Sequence, residues 1–274
     1  MNKFLLAIPA NDAEAVMILR LAKAFGLPVI ISSQPHGASL DKEPQIIEKI
    51  KKSGAKKIVI VEMPGLKTEK QLAALGFRIK IIDHHNYLGL NRKKKLSSLE
   101  QFLKMFKISD QKIKVLGFVP RLVRGIGIFD RGFIWALQKE GYSKTEVKKV
   151  LLFRQKLMRP FVDSVEEKKY KRAARAVWQQ REKWQDFFIV RDNTKKGLRP
   201  YLSLLVALEI GRPTPLIVVE HGRNIIYVQE TNLAKKLFKK FGGFTFGEKG
   251  NWGYKNEPGK PMMTLAILKK FLEN

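Results

Sequence analysis

The chain has 274 residues, no cysteine, and 53 Lys plus Arg against 25 Asp plus Glu, a formal net charge of +28. A hydrophobic content of 45% provides for a sizeable core and excludes wholesale disorder, while the lack of cysteine excludes disulfides, thiolate metal sites and cysteine nucleophiles. Any metal must therefore be held by carboxylates and imidazoles, which favour Mn, Mg, Zn or Fe, and the charge points to nucleic acid or another phosphate-rich partner that relieves self-repulsion.

Lysine enrichment also follows from genome composition or from adaptation to heat, but heat adaptation raises Glu alongside Lys, and here it has not. The longest apolar runs, such as "FLLAI", "KIVIV" and "LSLLVALEI", fall short of the ~20 residues of a membrane span. The start "MNKFLLAIPAND" has no small-residue cleavage site, so a cytosolic protein is expected.

In chain order, "KFLLAI" reads as a strand and "NDAEAVMILRLAKAFG" as a helix, with Val16, Ile18, Leu19, Leu21 and Ala22 at helical spacing and Gly26 as its stop. "PVIIS" is the next strand, "EPQIIEKIKKSG" a helix, "KKIVIV" a buried strand, "EKQLAALG" a short helix and "RIKIID" a further strand. Strands alternating with helices predict a parallel sheet with right-handed crossovers. From about residue 97 the pattern turns helical. "SSLEQFLKMF" opens with a serine ahead of Glu100 and Gln101, a capping signal, and helices are expected at 110–123, 131–140 and 143–158. A long polar and basic helix, "DSVEEKKYKRAARAVWQQREKW", leads to strand candidates "DFFIV", "TPLIVVE" and "NIIYVQ" and a final amphipathic helix "NLAKKLFKKF". The expected fold class is α/β: a parallel sheet with flanking helices over 1–160, a connecting helix at 161–185, and a smaller α+β carboxyl-terminal domain at 186–274.

Acidic residues and histidines recur where the strands end. "IPANDAEA" puts Asp12 and Glu14 after the first strand, "IVIVEMPG" puts Glu62 after a buried one, "IIDHH" supplies Asp83, His84 and His85, and "GIGIFDRG" puts Asp130 and Arg131 after another apolar turn. The carboxyl edge of a parallel sheet is where ligands bind, and such a set is what two divalent ions would need to activate water and neutralise a phosphoryl oxygen. Each acid alone is more often a helix cap or a solvated loop charge; Glu14 could simply face water on a first helical turn. The combination is what carries information.

The order of these segments resembles the DHH phosphoesterase superfamily of RecJ-like exonucleases, small oligoribonucleases and family II inorganic pyrophosphatases, and the likeness spans most of the chain. The resemblance implies a parallel α/β domain followed by a mobile smaller one. It also implies Mn or Mg as cofactor, in one or two ions, with Asp12, Glu14, Glu62, His84 and Asp130 as ligands. By the same likeness Asp83 would orient His84, and His85 would face the scissile phosphate together with Arg131. Departures from the family pattern are Ile8, where a histidine ligand is usual, which puts the second ion in doubt, and Glu for Asp at positions 14 and 62. A one-methylene overshoot matters where about 1 Å of misplacement can cost ~100-fold.

The loop "KKFGGFTFGEKGNWGYKN" interleaves glycines with Phe244, Phe246, Trp252 and Tyr254 among lysines. Gly242, Gly243 and Gly247 allow close backbone approach to phosphate, Lys249 supplies charge, and the aromatics offer faces for bases. It resembles the glycine-rich substrate loop of the superfamily's carboxyl-terminal domain, with Phe244 where a histidine is usual. Phe244 and Phe246 suit a core as well as a site; Trp252, among polar neighbours, reads as exposed. The basic run Arg92, Lys93, Lys94 and Lys95 and the helix bearing Lys168, Lys169, Lys171, Arg172 and Arg175 could each guide a strand or be only solvated faces. His36 and His221 read as isolated loop residues.

Two function classes follow. One is a metal-dependent phosphodiesterase, a hydrolase acting on nucleic acid or short oligonucleotides by attack of metal-activated water on phosphorus. The other is a catalytically weak or inactive protein of the same fold that binds nucleic acid or phosphorylated ligands.

Overall fold

A computed structural model describes residues 4–85, 90, 92, 94–247 and 250–273. The chain forms two compact units, one up to Phe161 and one from Val162 onward.

In the first unit, strands β1 (Phe4–Pro9), β2 (Val29–Ser32), β3 (Lys57–Val61) and β4 (Arg78–Ile82) form a parallel sheet in the order β2-β1-β3-β4. The crossovers are α1 (Ala13–Ala24), α2 (Ile46–Lys52) and α3 (Leu66–Ala74). Leu5, Ile58 and Ile60 pack with Leu40, Ile46, Ile50 and Leu72 into a buried core. The central strands β1 and β3 are apolar almost throughout because both of their faces are covered.

Helices α4 (Ser98–Met105), α5 (Asp110–Val115), α6 (Pro120–Lys139) and α7 (Lys144–Met158) complete this unit. Both α4 and α7 begin with a capping box, Ser97 with Glu100 and Ser143 with Glu146. The helices expected at 110–123 and 131–140 divide differently. Pro120, which lacks a backbone N–H and suits a first helical position, starts α6, and that helix runs through Asp130. Its break comes at Gly132 and Phe133, whose φ of 61° lies in the left-handed region. Asp130 is therefore a helical residue rather than one on a loop after a turn.

The second unit holds a six-stranded sheet, β5 (Glu182–Trp184), β6 (Phe187–Asp192), β7 (Leu216–Glu220), β8 (Ile225–Gln229), β9 (Phe244–Phe246) and β10 (Asn251–Lys255), in the order β5-β6-β7-β8-β10-β9. Only β6 and β7 run parallel; the other neighbours are antiparallel. On one face lie α8 (Ser164–Gln179) and α9 (Arg199–Ile210), through Ala174, Trp178, Leu202 and Val206; on the other lie α10 (Ala234–Phe241) and α11 (Leu265–Leu272), through Leu237 and Leu268. The helix expected to connect two domains, α8, thus packs on the second sheet by its buried side. The last helix is α11, beyond the one expected to close the chain. No described helix is long and apolar enough to cross a membrane.

Candidate metal centre

Each element ends by aiming a polar side chain at the carboxyl edge of the first sheet. Asp12 caps α1, accepting a hydrogen bond from Ala15 N at 2.8 Å. Glu14, in the first turn, is only 1% exposed. Its Oε1 accepts from Leu99 N at 2.8 Å and its Oε2 from Ser98 N at 3.3 Å, so the carboxylate sits on the amino terminus of α4, where the helix dipole favours an anion. Glu62 follows β3 with a φ of 50°, a conformation that costs a non-glycine residue on the order of 1 kcal/mol and is concentrated at functional sites. Asp83 and His84 follow β4 directly, and Asp130 comes from the last regular turn of α6 before its break.

These positions converge. Ligating atoms of Glu14, Glu62, His84 and Asp130 all lie within 4.8 Å of one another, and those of Glu62, His84 and His85 form an overlapping group. His84 Nε2 stands 2.9 Å from Asp130 Oδ2, 3.4 Å from Glu62 Oε1 and 3.6 Å from Glu14 Oε2. Glu62 Oε1 and His84 Nε2 are buried without a well-formed hydrogen bond, which is costly unless something else satisfies them. Buried carboxylate oxygens and an imidazole nitrogen this close together fit a divalent cation.

The electrostatics fit the same reading. Burial pushes the Glu14 carboxyl well above the usual range, and the neighbouring Asp130 and Glu62 push it further. Asp12 rises to about 7, through burial first and then the charges of Glu62 and Asp130. Burial opposes charge on His84, but hydrogen bonding and attraction from Asp130 and Glu62 outweigh it and hold the imidazole up at about 10. The Asp130 carboxyl, although desolvated, is held below its usual value by His84 and His85.

Asp83 and His85 form a separate pair. Asp83, 1% exposed, accepts from His85 N at 3.0 Å and faces His85 Nδ1 at 3.1 Å. A carboxylate there favours the proton on Nδ1, and the His85 side chain is 47% exposed. The expectation that Asp83 orients His84 is corrected: Asp83 orients His85. Gln101, read only as part of a capping signal, donates from Nε2 to Asp83 O at 3.0 Å and to Leu96 O at 2.9 Å, so α4 fixes the strand end that carries both histidines.

Two basic residues expected at the substrate are engaged by carboxylates of the protein itself. Arg131 pairs with Glu140 at 2.6 Å and Glu100 at 3.1 Å, so its guanidinium is spread over two carboxylates rather than presented to a phosphate. Arg92, expected to guide a strand or to be solvated, is 8% exposed and gripped by Glu69 at 2.6 Å, the first member of its basic run folding inward. Ile8 is fully buried, opposite Ile31 on β2, and supplies no donor. Asp12 senses the charges of Glu62 and Asp130 but stands beside the four converging residues. Lys93 falls outside the described residues.

In the second unit, Gly242, Gly243 and Gly247 all have positive φ. At Gly243 a Cβ would lie 2.3 Å from Gly253 O, so glycine is required there by the fold whatever else the loop does. Trp252 is corrected from exposed to fully buried: its Nε1 donates to Gly242 O at 2.8 Å and its ring lies in the core with Leu237 and Leu268. Alternation along β10 explains the miss, since polar neighbours flank an inward-facing position. Lys249 lies outside the described residues. On α8, Lys169 pairs with Glu166 and Lys171 with Glu167, whereas Lys168, Arg172 and Arg175 share one exposed stripe with no ion-pair partner among the described residues.

No protein-family model matches the sequence, and no curated protein matches it. Among solved structures, an exopolyphosphatase-related protein from Bacteroides fragilis is similar with a TM-score of 0.51 at 11% identity, covering 99% of this chain and 92% of that one. RecJ from Thermus thermophilus in complex with Mg2+ gives 0.48 at 13% identity, over 99% of this chain and 48% of that one. A pGpG-specific phosphodiesterase from Vibrio cholerae gives 0.47 at 10% identity, over 99% and 96%. With its parallel sheet, its second mixed sheet and its likeness to the Bacteroides protein along nearly the whole of both chains, the protein has the fold of that exopolyphosphatase-related protein.

Proposed function

We propose that the protein is a metal-dependent phosphodiesterase acting on nucleic acid or short oligonucleotides. The observation that carries this reading is the convergence of Glu14, Glu62, His84 and Asp130 at the sheet edge, their ligating atoms all within 4.8 Å of one another. A divalent ion held there would lower the pKa of a water and offset charge on a phosphoryl oxygen. His85, braced by Asp83 and half-exposed, is the residue suited to give or take a proton at the phosphate. The net charge of +28 and the unpaired stripe on α8 support a polyanionic substrate.

A second reading has its own observation. Both oxygens of Glu14 already accept backbone N–H groups of α4, and His84 closes on Asp130, an arrangement that also suits a fold retained for binding rather than hydrolysis. Mn-dependent cleavage of a short oligonucleotide by the intact chain, abolished by Asp130→Asn, is the outcome expected of the enzyme. Tight binding with no cleavage at any Mn or Mg concentration would decide for the binding protein.

A further inference from the structure

The segment that follows β2, residues 33–39, leaves the first sheet at its carboxyl edge, the edge that carries the candidate metal centre. One side chain ties the two ends of this loop together. Gln34 Oε1 accepts from Ser39 N at 3.0 Å, while Gln34 Nε2 donates to Ser39 O at 3.0 Å and to Glu43 Oε2 at 2.9 Å. The loop is also pinned from outside at two places. Asn11 Nδ2 donates to Pro35 O at 3.1 Å, and Ser39 Oγ and Leu40 N both donate to Pro64 O, at 2.9 and 3.1 Å. Asn11 directly precedes Asp12, and Pro64 follows Glu62 with one residue between them. The loop is therefore fastened to the two chain segments that bring those carboxylates to the edge.

At the tip Pro35, His36 and Gly37 are exposed, whereas Ala38 behind them is buried. Proline has a fixed φ, and Gly37 takes a φ of 84°, where a side chain would be strained, so the turn that presents His36 is set by its neighbours. Ordering such a loop costs backbone entropy, and the ties to Asn11, Ser39 and Pro64 offset it for a tip whose imidazole is left open. Among the described residues, no hydrogen bond or ion pair engages the His36 side chain, and His36 stands outside the converging ligands. Neighbouring strands are ~4.8 Å apart, so in the order β2-β1-β3-β4 the end of β2 lies three spacings, about 14 Å, from the end of β4 that carries His85. One phosphate or phosphoanhydride held beside His85 does not span that distance, whereas a nucleotide strand does. An uncommitted imidazole N–H on the far side suits a further phosphate oxygen of the same strand.

We propose that His36 is a specificity residue that holds a non-scissile phosphate of the substrate, so that the site prefers an oligonucleotide to a molecule with a single phosphodiester or phosphoanhydride group. The inference rests on the function proposed above for the same sheet edge and names its substrate class more closely. It is tested by fluorescence anisotropy on the full chain in EDTA, with a short labelled oligothymidylate and a series of the same strand in which each linkage in turn is a neutral methylphosphonate. His36→Ala is expected to weaken the all-phosphate strand by about 10-fold with an unchanged melting temperature, since the residue is exposed. One methylphosphonate strand should bind wild type with a similar loss and lose nothing further with His36→Ala, which marks the linkage that His36 holds. His36→Arg, which also donates to phosphate, should keep most of the affinity, and His36→Phe, which can only stack, should not. Equal affinity of wild type and His36→Ala, a further loss with His36→Ala on every methylphosphonate strand, retention of affinity by His36→Phe but not His36→Arg, or no binding of any strand by wild type would overturn the proposal. Failure of the hydrolytic reading would appear instead as absence of Mn-dependent cleavage, which these EDTA measurements do not involve.

Discussion

Stability of the metal-free protein should fall with rising pH across the neutral and alkaline range, and His84 should be the cause. Its imidazole is raised from 6.5 to about 10 against the opposing cost of burial, chiefly by Asp130 and Glu62. The folded protein therefore holds this proton more tightly than the unfolded chain. The stabilisation is fully present below pH 6.5 and is lost as pH climbs through the folded value of about 10. Within that window the slope approaches ~1.4 kcal/mol per pH unit, so between pH 7 and 8.5 about 2 kcal/mol is lost. Asp12, raised to about 7, acts in the same direction at lower pH, between its unfolded value and about 7. General charge repulsion changes with pH as well, so the measurement is a comparison: urea melts of wild type and His84→Gln, in EDTA at constant ionic strength, from pH 6.5 to 9.5. The variant should be less stable than wild type at pH 6.5, because Glu62 and Asp130 then lose the charge and hydrogen bonds of His84. The gap should close steadily toward pH 9.5. Parallel curves, with a constant gap or none, would refute the reasoning and mean that His84 does not carry a proton among these carboxylates.

Arg92→Ala should destabilise by roughly 3 kcal/mol in a urea melt, since it strands the carboxylate of Glu69 that it pairs with; a loss below about 0.5 kcal/mol would mean that the arginine is solvated after all. Replacing Lys168, Arg172 and Arg175 together with Ser should lower the salt slope of single-strand binding by about 2, at ~0.7 per phosphate contact, without lowering the melting temperature, and an unchanged slope would make the stripe a merely solvated face. Gly243→Ala should unfold or severely destabilise the second unit, because its Cβ would lie 2.3 Å from Gly253 O at a φ of +82°; a near-wild-type melt would contradict that packing.

The parallel sheet was legible because β1 and β3 are short apolar runs that end in polar residues and alternate with helices stopped by Gly26, Gly54 and Gly76. The candidate metal residues were legible for the same reason: an acid or histidine directly after such a strand has only the sheet edge to occupy. Asp130 shows the limit. Its place depends on a helix break at Gly132 and Phe133 that helical periodicity does not reveal. Partners far apart in sequence were out of reach as well, including Glu14 with Ser98 and Leu99, Arg92 with Glu69, and Arg131 with Glu100. Charge runs say which residues are basic, not which one folds inward. The carboxyl-terminal strands β9 and β10 and helix α11 went unread because short strands among glycines carry little periodic signal.

The central claim is that the four converging side chains hold a divalent cation, and calorimetric titration of Mn into the metal-free chain tests it most directly. The account expects saturable binding that displaces the His84 proton, seen as a heat that changes with buffer ionisation enthalpy and an affinity that rises with pH. Mn at a hundred times its dissociation constant should then stabilise the fold by about 2.7 kcal/mol, and His84→Ala should remove most of that gain. Absence of binding heat together with an unchanged melting temperature in Mn and in Mg, at pH 7 and again at pH 8.5, would contradict the claim.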